Sequence, residues 1–335
     1  MDLRTSYMGM ELKNPIVASA SPLSQDVGNI KRMEDAGASA VVMFSLFEEQ
    51  LKHEAAAMDH FMSYGSESFA EALSYFPQID EYEVGPERYL ELISRASSSV
   101  DIPIIGSLNG ITNEGWVDYA REIERAGAAG IELNVYYIPS DLNKSGREVE
   151  QRYIEILKHV KSSVSIPVAM KIGASFSSPG WMCRQLDEAG ADALVIFNRF
   201  FQPDLDIDKL EVVPDLQLSN KTQIRVRLLW LAVLFGKVRA SLAATTGVHT
   251  HEEIIKYLMA GADVVMTTSA LLHNGIEYLT TLRTGLSDWM QQKGYESVAQ
   301  MKGSMSQQNV ADPEAFERAN YIKMLERYKS PYAIG

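Results

Sequence analysis

The sequence predicts an α/β protein, a TIM-type (β/α)8 barrel, and three observations carry that reading. The phrase Ala-Gly-Ala recurs at residues 36–38, 126–128, 189–191 and 260–262, each time between an amphipathic run and a short apolar or β-branched run. Glycine ends a helix in the left-handed region without steric cost, so each copy marks a helix, its cap and the next strand. A second pattern, Ser-Val, one residue, Ile-Pro and an apolar run, occurs at Ser99–Pro103 and again at Ser163–Pro167. Such a repeat suits a barrel of like units. Third, short apolar strands end in polar residues, and the carboxyl ends of the strands are where this fold carries its ligand. A chain of 335 residues is ordinary for one such barrel with insertions.

The elements follow in order. Asn14 to Pro22 forms the first strand, which ends in the small residues Ser19, Ala20 and Ser21. A helix from about Ser24 turns Met33 and Ala36 inward, and Ala40 to Met43 is the second strand, apolar on both sides as a buried parallel strand should be. Residues 44–85 break the rhythm with a helix over Glu48–Met62 and a tyrosine-rich segment containing Tyr64, Tyr75 and Tyr82, which reads as an insertion over the barrel mouth. The rhythm resumes with a helix over Pro86–Ser98, a third strand over Ile102–Ser107 that leads to Asn109, and a helix over Gly115–Ala126. The fourth strand, Gly130–Leu133, runs into Asn134, Tyr136, Tyr137 and Pro139. A helix over Glu148–Ser162, a fifth strand over Ile166–Lys171, a helix over Pro179–Ala189 and a sixth strand over Ala193–Phe197 come next. Residues 198–220 read as a second insertion containing a small hairpin. Lys221–Phe235 is a helix, Ser241–Ala244 the seventh strand, Thr250–Met259 a helix, Val264–Thr267 the eighth strand and Ile276–Lys293 its helix. The tail, 295–335, carries one more helix over Pro313–Tyr328. No linker divides the chain, so residues 1–335 read as one domain.

A net charge of −13 argues against a nucleic-acid partner or an anionic membrane surface. The single cysteine, Cys183, excludes an internal disulfide, and its mid-helix place argues against a nucleophile. No apolar run of about 18 residues is present and the start, Met1-Asp2-Leu3-Arg4, lacks a signal-peptide core, so a cytoplasmic protein is expected. His249 and His251 open a helix and read as capping residues, while His53 and His60 read as surface; no metal site is expected. The chemistry falls to Asn134, Lys171 and Asn198, which end three neighbouring strands and together suit a planar heterocycle with carbonyl and imide groups. Thr245–Val248 and Thr267–Ala270 follow the last two strands, where backbone N–H groups commonly hold a phosphate in this fold.

Over roughly residues 1–285 these motifs resemble the FMN-dependent dihydroorotate dehydrogenase family of the soluble class 1 type, and the related pyrimidine-reducing domain of dihydropyrimidine dehydrogenase. The resemblance implies FMN as cofactor, with Ser19, Ala20 and Ser21 against the flavin, Lys171 on the pyrimidine side of its ring, and Asn109 and Asn134 as further cofactor contacts. It implies Thr246, Gly247, Thr268 and Ser269 at the phosphate, one glycine lost from each loop, and Asn134 and Asn198 at the substrate. Three departures stand out. Where the family follows Glu-Leu-Asn with Leu-Ser-Cys-Pro-Asn and uses that cysteine as base, Tyr137 stands here, next to Tyr136. Phe44 stands at the family's strand-two lysine, and the Asn-x-Met-Gly-x-x-Asn loop has no counterpart in 50–85.

The flavin half of the site is thus kept and the pyrimidine half rebuilt. A phenol, with an ordinary pKa of about 10, donates a proton at neutral pH better than it accepts one. The resemblance implies hydride transfer between flavin N5 and a small planar substrate, with Tyr137 or Tyr136 as proton donor or acceptor and Lys171 beside the ring. That substrate is dihydroorotate or orotate of pyrimidine biosynthesis, or another molecule with a C=C or C=N bond. Two other readings remain: a phosphate-binding aldolase or isomerase using the Lys171 amine, and a non-catalytic flavoprotein subunit. Fumarate, a nicotinamide and a ferredoxin stay equally open as electron partner, and the family implies a homodimer.

Overall fold

The structure, a computed structural model, describes residues 1–47, 85–110, 116–199, 202–213, 216–317, 321, 325 and 326. Its first element is an antiparallel hairpin, β1 (Thr5–Tyr7) and β2 (Met10–Leu12), which the sequence reading lacked. The barrel then begins with β3 (Ile16–Ala18), α1 (Val27–Ala36) and β4 (Val41–Val42), continued by β5 (Leu46–Phe47). Next come α2 (Pro86–Ser97), β6 (Ile104–Gly110), α3 (Trp116–Arg125), β7 (Gly130–Val135) and α4 (Gly146–Lys161). They are followed by β8 (Val168–Ile172), α5 (Pro179–Glu188), β9 (Ala193–Ile196) and a hairpin of β10 (Asp204–Asp206) with β11 (Glu211–Val213). The chain closes with α6 (Ile224–Leu234), β12 (Ser241–Ala244), α7 (His251–Ala260), β13 (Val264–Thr267), α8 (Ser269–Asn274), α9 (Tyr278–Lys293) and α10 (Val298–Met301).

Pairing runs β3–β4–β6–β7–β8–β9–β12–β13 and back to β3, all parallel, so eight strands close the barrel. The Ala-Gly-Ala joints behave as the sequence predicts: Gly37, Gly127, Gly190 and Gly261 have φ of +103°, +96°, +98° and +126° after their helices. Helix starts are equally local. Asp26 caps α1 by accepting from Asn29 N–H, and Ser145 with Glu148 makes a reciprocal capping box on α4.

Side chains alternate along each strand with period two. Ile16, Val41, Ile104, Ile131, Leu133, Val168, Met170, Leu194 and Val265 join the layer under the helices. Val17, Val42, Ile105, Ala169, Ala193, Val195, Ala243, Val264 and Met266 form a second cluster inside the barrel. Tyr7, Met8 and Leu12 of the first hairpin belong to that inner cluster, so the hairpin plugs the barrel's amino end. A Cβ built on Gly130 would lie 3.0 Å from Met8 Cε, so a small residue is needed where the plug meets β7.

Several sequence expectations shift. The first strand covers only Ile16–Ala18, because Pro22 to Gln25 turns as a 3-10 helix. The second strand is split between β4 and β5, and Tyr89 fills the gap: its hydroxyl donates to Ser107 O at 3.1 Å and accepts from Ser107 N–H at 2.8 Å. Phe44 lies in this gap with its ring edge-on to Tyr89 at 5.0 Å. It therefore belongs to the layer under the helices, and Ser45, whose hydroxyl is 2.9 Å from that of Ser107, is the polar residue of this segment that meets β6. The expected helix over Glu48–Met62, the tyrosines 64, 75 and 82, His53 and His60 lie outside the described residues. In the tail, α10 was not foreseen, and the described start of the expected last helix is a 3-10 turn over Pro313–Phe316. Asp2 N–H bonds Glu296 O at 3.0 Å and Val298 N–H bonds Asp2 O at 3.0 Å, tying the tail to the chain start.

Candidate active site

The parallel register sets the site. Asn109 on β6, Asn134 on β7 and Lys171 on β8 are successive partners across the sheet, one layer above the inner apolar cluster. Asn198, just after β9, donates from Nδ2 to Asn134 Oδ1 at 2.8 Å. The three strand-end residues singled out by sequence are thus brought together. Beneath them lies a residue the sequence reading quoted without a role: Glu132 is 0% exposed, and its Oε1 is 3.1 Å from Lys171 Nζ. Its other oxygen, Oε2, has no hydrogen-bond partner. Glu132 precedes Asn134 by two, so the strand period alone would have turned it inward.

A cavity of about 150 Å³ joins Lys171 and Asn198 to Ser19 and Ala20 on one side and to Thr246, Gly247, Thr268 and Ser269 on the other. Pockets that enclose a whole ligand are larger, roughly 300–1,000 Å³. The loop after β12 has an unusual backbone. Thr246 and Gly247 both have φ of +79°, so a β-branched residue keeps the left-handed geometry that glycine adopts freely. The Thr246 hydroxyl donates to Phe197 O at 3.2 Å, and Tyr257, an α7 phenol pushed up by burial, donates to Thr246 O at 2.7 Å. Those two bonds oppose the strain of φ > 0 at a threonine. A Cβ on Gly247 would lie 2.7 Å from Ile224 Cγ2 and 3.0 Å from Asn220 O, so no side chain fits there.

Ser219 completes this end and was missed by the sequence reading. Its hydroxyl accepts from Gly247 N–H at 3.2 Å and is 2.8 Å from the Ser269 hydroxyl. His249 is a fastening rather than a ligand: its Nε2 lies 2.6 Å from Ser219 O. Thr268 donates to Ser19 O at 3.1 Å, linking the loop after β13 to the first strand. Ser21 stands one step away, where its carbonyl accepts from Ser24 at the start of the 3-10 turn.

The tyrosines lie at the rim. Tyr136 and Tyr137 are half-buried past the end of β7. The Tyr137 ring faces the Arg152 guanidinium at 4.3 Å, and its hydroxyl accepts from Lys144 Nζ at 3.4 Å. These partners belong to α4 and the loop before it, so Tyr137 is held toward the helical ring, whereas the period of two gives Tyr136 the inward register of Asn134. A larger hollow of about 600 Å³ lies at the other end of the barrel, between the chain start and α9, and contains none of these residues.

No family model matches the chain. It is 25% identical over 312 residues to the catalytic subunit of dihydroorotate dehydrogenase B (NAD(+)) of Methanothermobacter thermautotrophicus, covering 90% of this chain and 97% of that protein. The same subunit of Methanocaldococcus jannaschii is 26% identical over 287 residues, 82% of this chain and 89% of that one. Over most of its length this chain is similar to dihydroorotate dehydrogenases. Similarity extends to the NAD-dependent dihydropyrimidine dehydrogenase subunit PreA of Escherichia coli K12, 20% identical over 340 residues, 96% of this chain and 80% of that protein. Within the barrel, Lys171 and Asn198, the latter bonded to Asn134, form the polar floor of the cavity, and the loops after β12 and β13 form one wall.

Proposed function

We propose that this dihydroorotate dehydrogenase-like chain is an FMN-dependent oxidoreductase acting on a small planar substrate with a C=C or C=N bond, dihydroorotate or orotate among the candidates. The observation that carries the reading is the single cavity running from Lys171 and Asn198 to the Thr246–Gly247 and Thr268–Ser269 loops. The residues present fit the group. A left-handed pair at Thr246 and Gly247, with no room for a Cβ at Gly247, lets backbone approach a phosphate closely, and the Ser219 and Ser269 hydroxyls add donors. When bound, FMN supplies hydride transfer at N5. Lys171 and Asn109 would hydrogen-bond the pyrimidine edge of the ring, with Ser19, Ala20 and Ser21 along its other side. Asn134 and Asn198, already joined to each other, would orient the substrate over it. A phenol from Tyr136 or Tyr137 would hold the proton that accompanies hydride movement. Tyr136 is favoured for contact with substrate by its register, since Arg152 and Lys144 hold Tyr137 toward the helical ring. The aldolase reading asks for a free lysine amine, and the ion pair to Glu132 speaks against that role. The relatives named as subunits support a further reading, that the chain works with a partner chain.

The visible spectrum of the purified chain, before and after anaerobic dihydroorotate, tests the reading. A flavin band is expected. Bleaching by dihydroorotate would identify that molecule as a donor, and Tyr136→Phe or Tyr137→Phe should slow the bleaching by about 10²-fold or more if that phenol moves the proton. An unchanged band would keep the cofactor and remove dihydroorotate as donor. No band, even after added FMN, would overturn the proposal.

A further inference from the structure

Glu132 is a fully buried carboxylate inside the barrel, placed in register between Ser107 on β6 and Ala169 on β8. Burying a charge is costly unless it is paired and hydrogen-bonded. Here the pairing is single-pointed: Oε1 meets Lys171 Nζ at 3.1 Å, while Oε2 has no hydrogen-bond partner. An ammonium has three donors. Among the described residues Glu132 is the one hydrogen-bond acceptor recorded for Lys171, so the other donors remain for whatever fills the cavity that Lys171 lines. Ala169, small and in register with Glu132, belongs to the strand that carries Lys171. The Tyr7 phenol below is pushed well up, first by its burial and then by the Glu132 charge, so it stays neutral and adds no second negative charge beside Glu132.

We propose that Glu132 is a positioning residue: it anchors the Lys171 ammonium at the cavity floor and sets how much positive charge Lys171 offers to the bound ring. The inference rests on the flavin reading. A reduced flavin carries more negative charge than an oxidised one, so a lysine freed from its carboxylate favours the reduced form more strongly.

The test is a double-mutant cycle read by the reduction potential of the bound flavin. Glu132→Gln should favour the reduced over the oxidised form by about tenfold relative to the parent, a rise of about 30 mV for a two-electron couple. Lys171→Met should lower the potential, and adding Glu132→Gln to Lys171→Met should change it little, because the carboxylate acts through the lysine. An equal shift in both backgrounds, or no shift in either, overturns the inference. Should the glutamine variant not fold, Glu132→Asp draws the carboxylate back by one methylene and should shift the potential the same way by less; no shift there is equally fatal. A wild-type chain that takes up no flavin sinks the flavin reading instead. The positioning claim is then read from acetic anhydride modification of Lys171, located by mass spectrometry. Without the carboxylate the Lys171 amine is no longer held at the cavity floor, so Glu132→Gln should change its modification rate several-fold, and an unchanged rate overturns the claim.

Discussion

Cys183 illustrates how a residue's surroundings decide its chemistry. It lies within α5, fully buried, and burial pushes its thiol up to about 12. Thiolate is the reactive form, so at pH 8 the folded protein should not react with a disulfide reagent over hours, while one thiol should titrate in urea. Rapid reaction of the folded protein would contradict the buried placement. The same logic explains which residues sequence could identify. Asn134, Lys171 and Asn198 were legible because each ends an apolar strand, and strand ends face the ligand in this fold. Glu132 was legible only in part. Its inward side follows from Asn134 by the period of two, but its bond to Lys171 depends on a neighbouring strand's register, which one strand's sequence does not carry. Phe44 shows the opposite failure: matched to a family position, it nonetheless packs on Tyr89, because the break between β4 and β5 changes which side chain turns inward.

At the scale of elements, the loop after β12 joins local conformation to the site. Gly247→Ala would place a Cβ against Ile224 and Asn220 at a φ of +79°. It should destabilise the protein by about 1–3 kcal/mol and weaken binding of the proposed cofactor FMN, measured by urea unfolding and flavin titration. Thr246→Gly, at the same φ, should cost far less, since glycine suits that backbone. Equal losses in the two variants would refute the role given to the left-handed pair. Helices and caps were the most legible elements because their signals are local: Ala-Gly-Ala joints, Pro86 and Pro179 at helix starts, Ser145 with Glu148. The β10–β11 hairpin was foreseen in outline from its prolines and aspartates. The β1–β2 hairpin was not, for its strands are three residues each and their partners are the barrel interior rather than each other's side chains alone.

For the whole molecule, that first hairpin matters more than its length suggests. Tyr7 is 0% exposed and packs with Met8 and Leu12 among the inner residues of the barrel strands. Tyr7→Ala should therefore lower unfolding free energy by about 3–5 kcal/mol, the usual cost of emptying a large aromatic site, seen as a lower urea midpoint. An unchanged midpoint would mean that the plug is dispensable. Barrel class was readable from repeats, since like units leave like signatures at four of the helix-to-strand joints, whereas closure of the amino end was not, since it uses residues outside the repeat. The plug also governs traffic. With one end stopped, a molecule reaches Lys171 from the carboxyl side and must leave the way it came. Two reactants that both need the same face of a bound ring then share one doorway and must use it in turn.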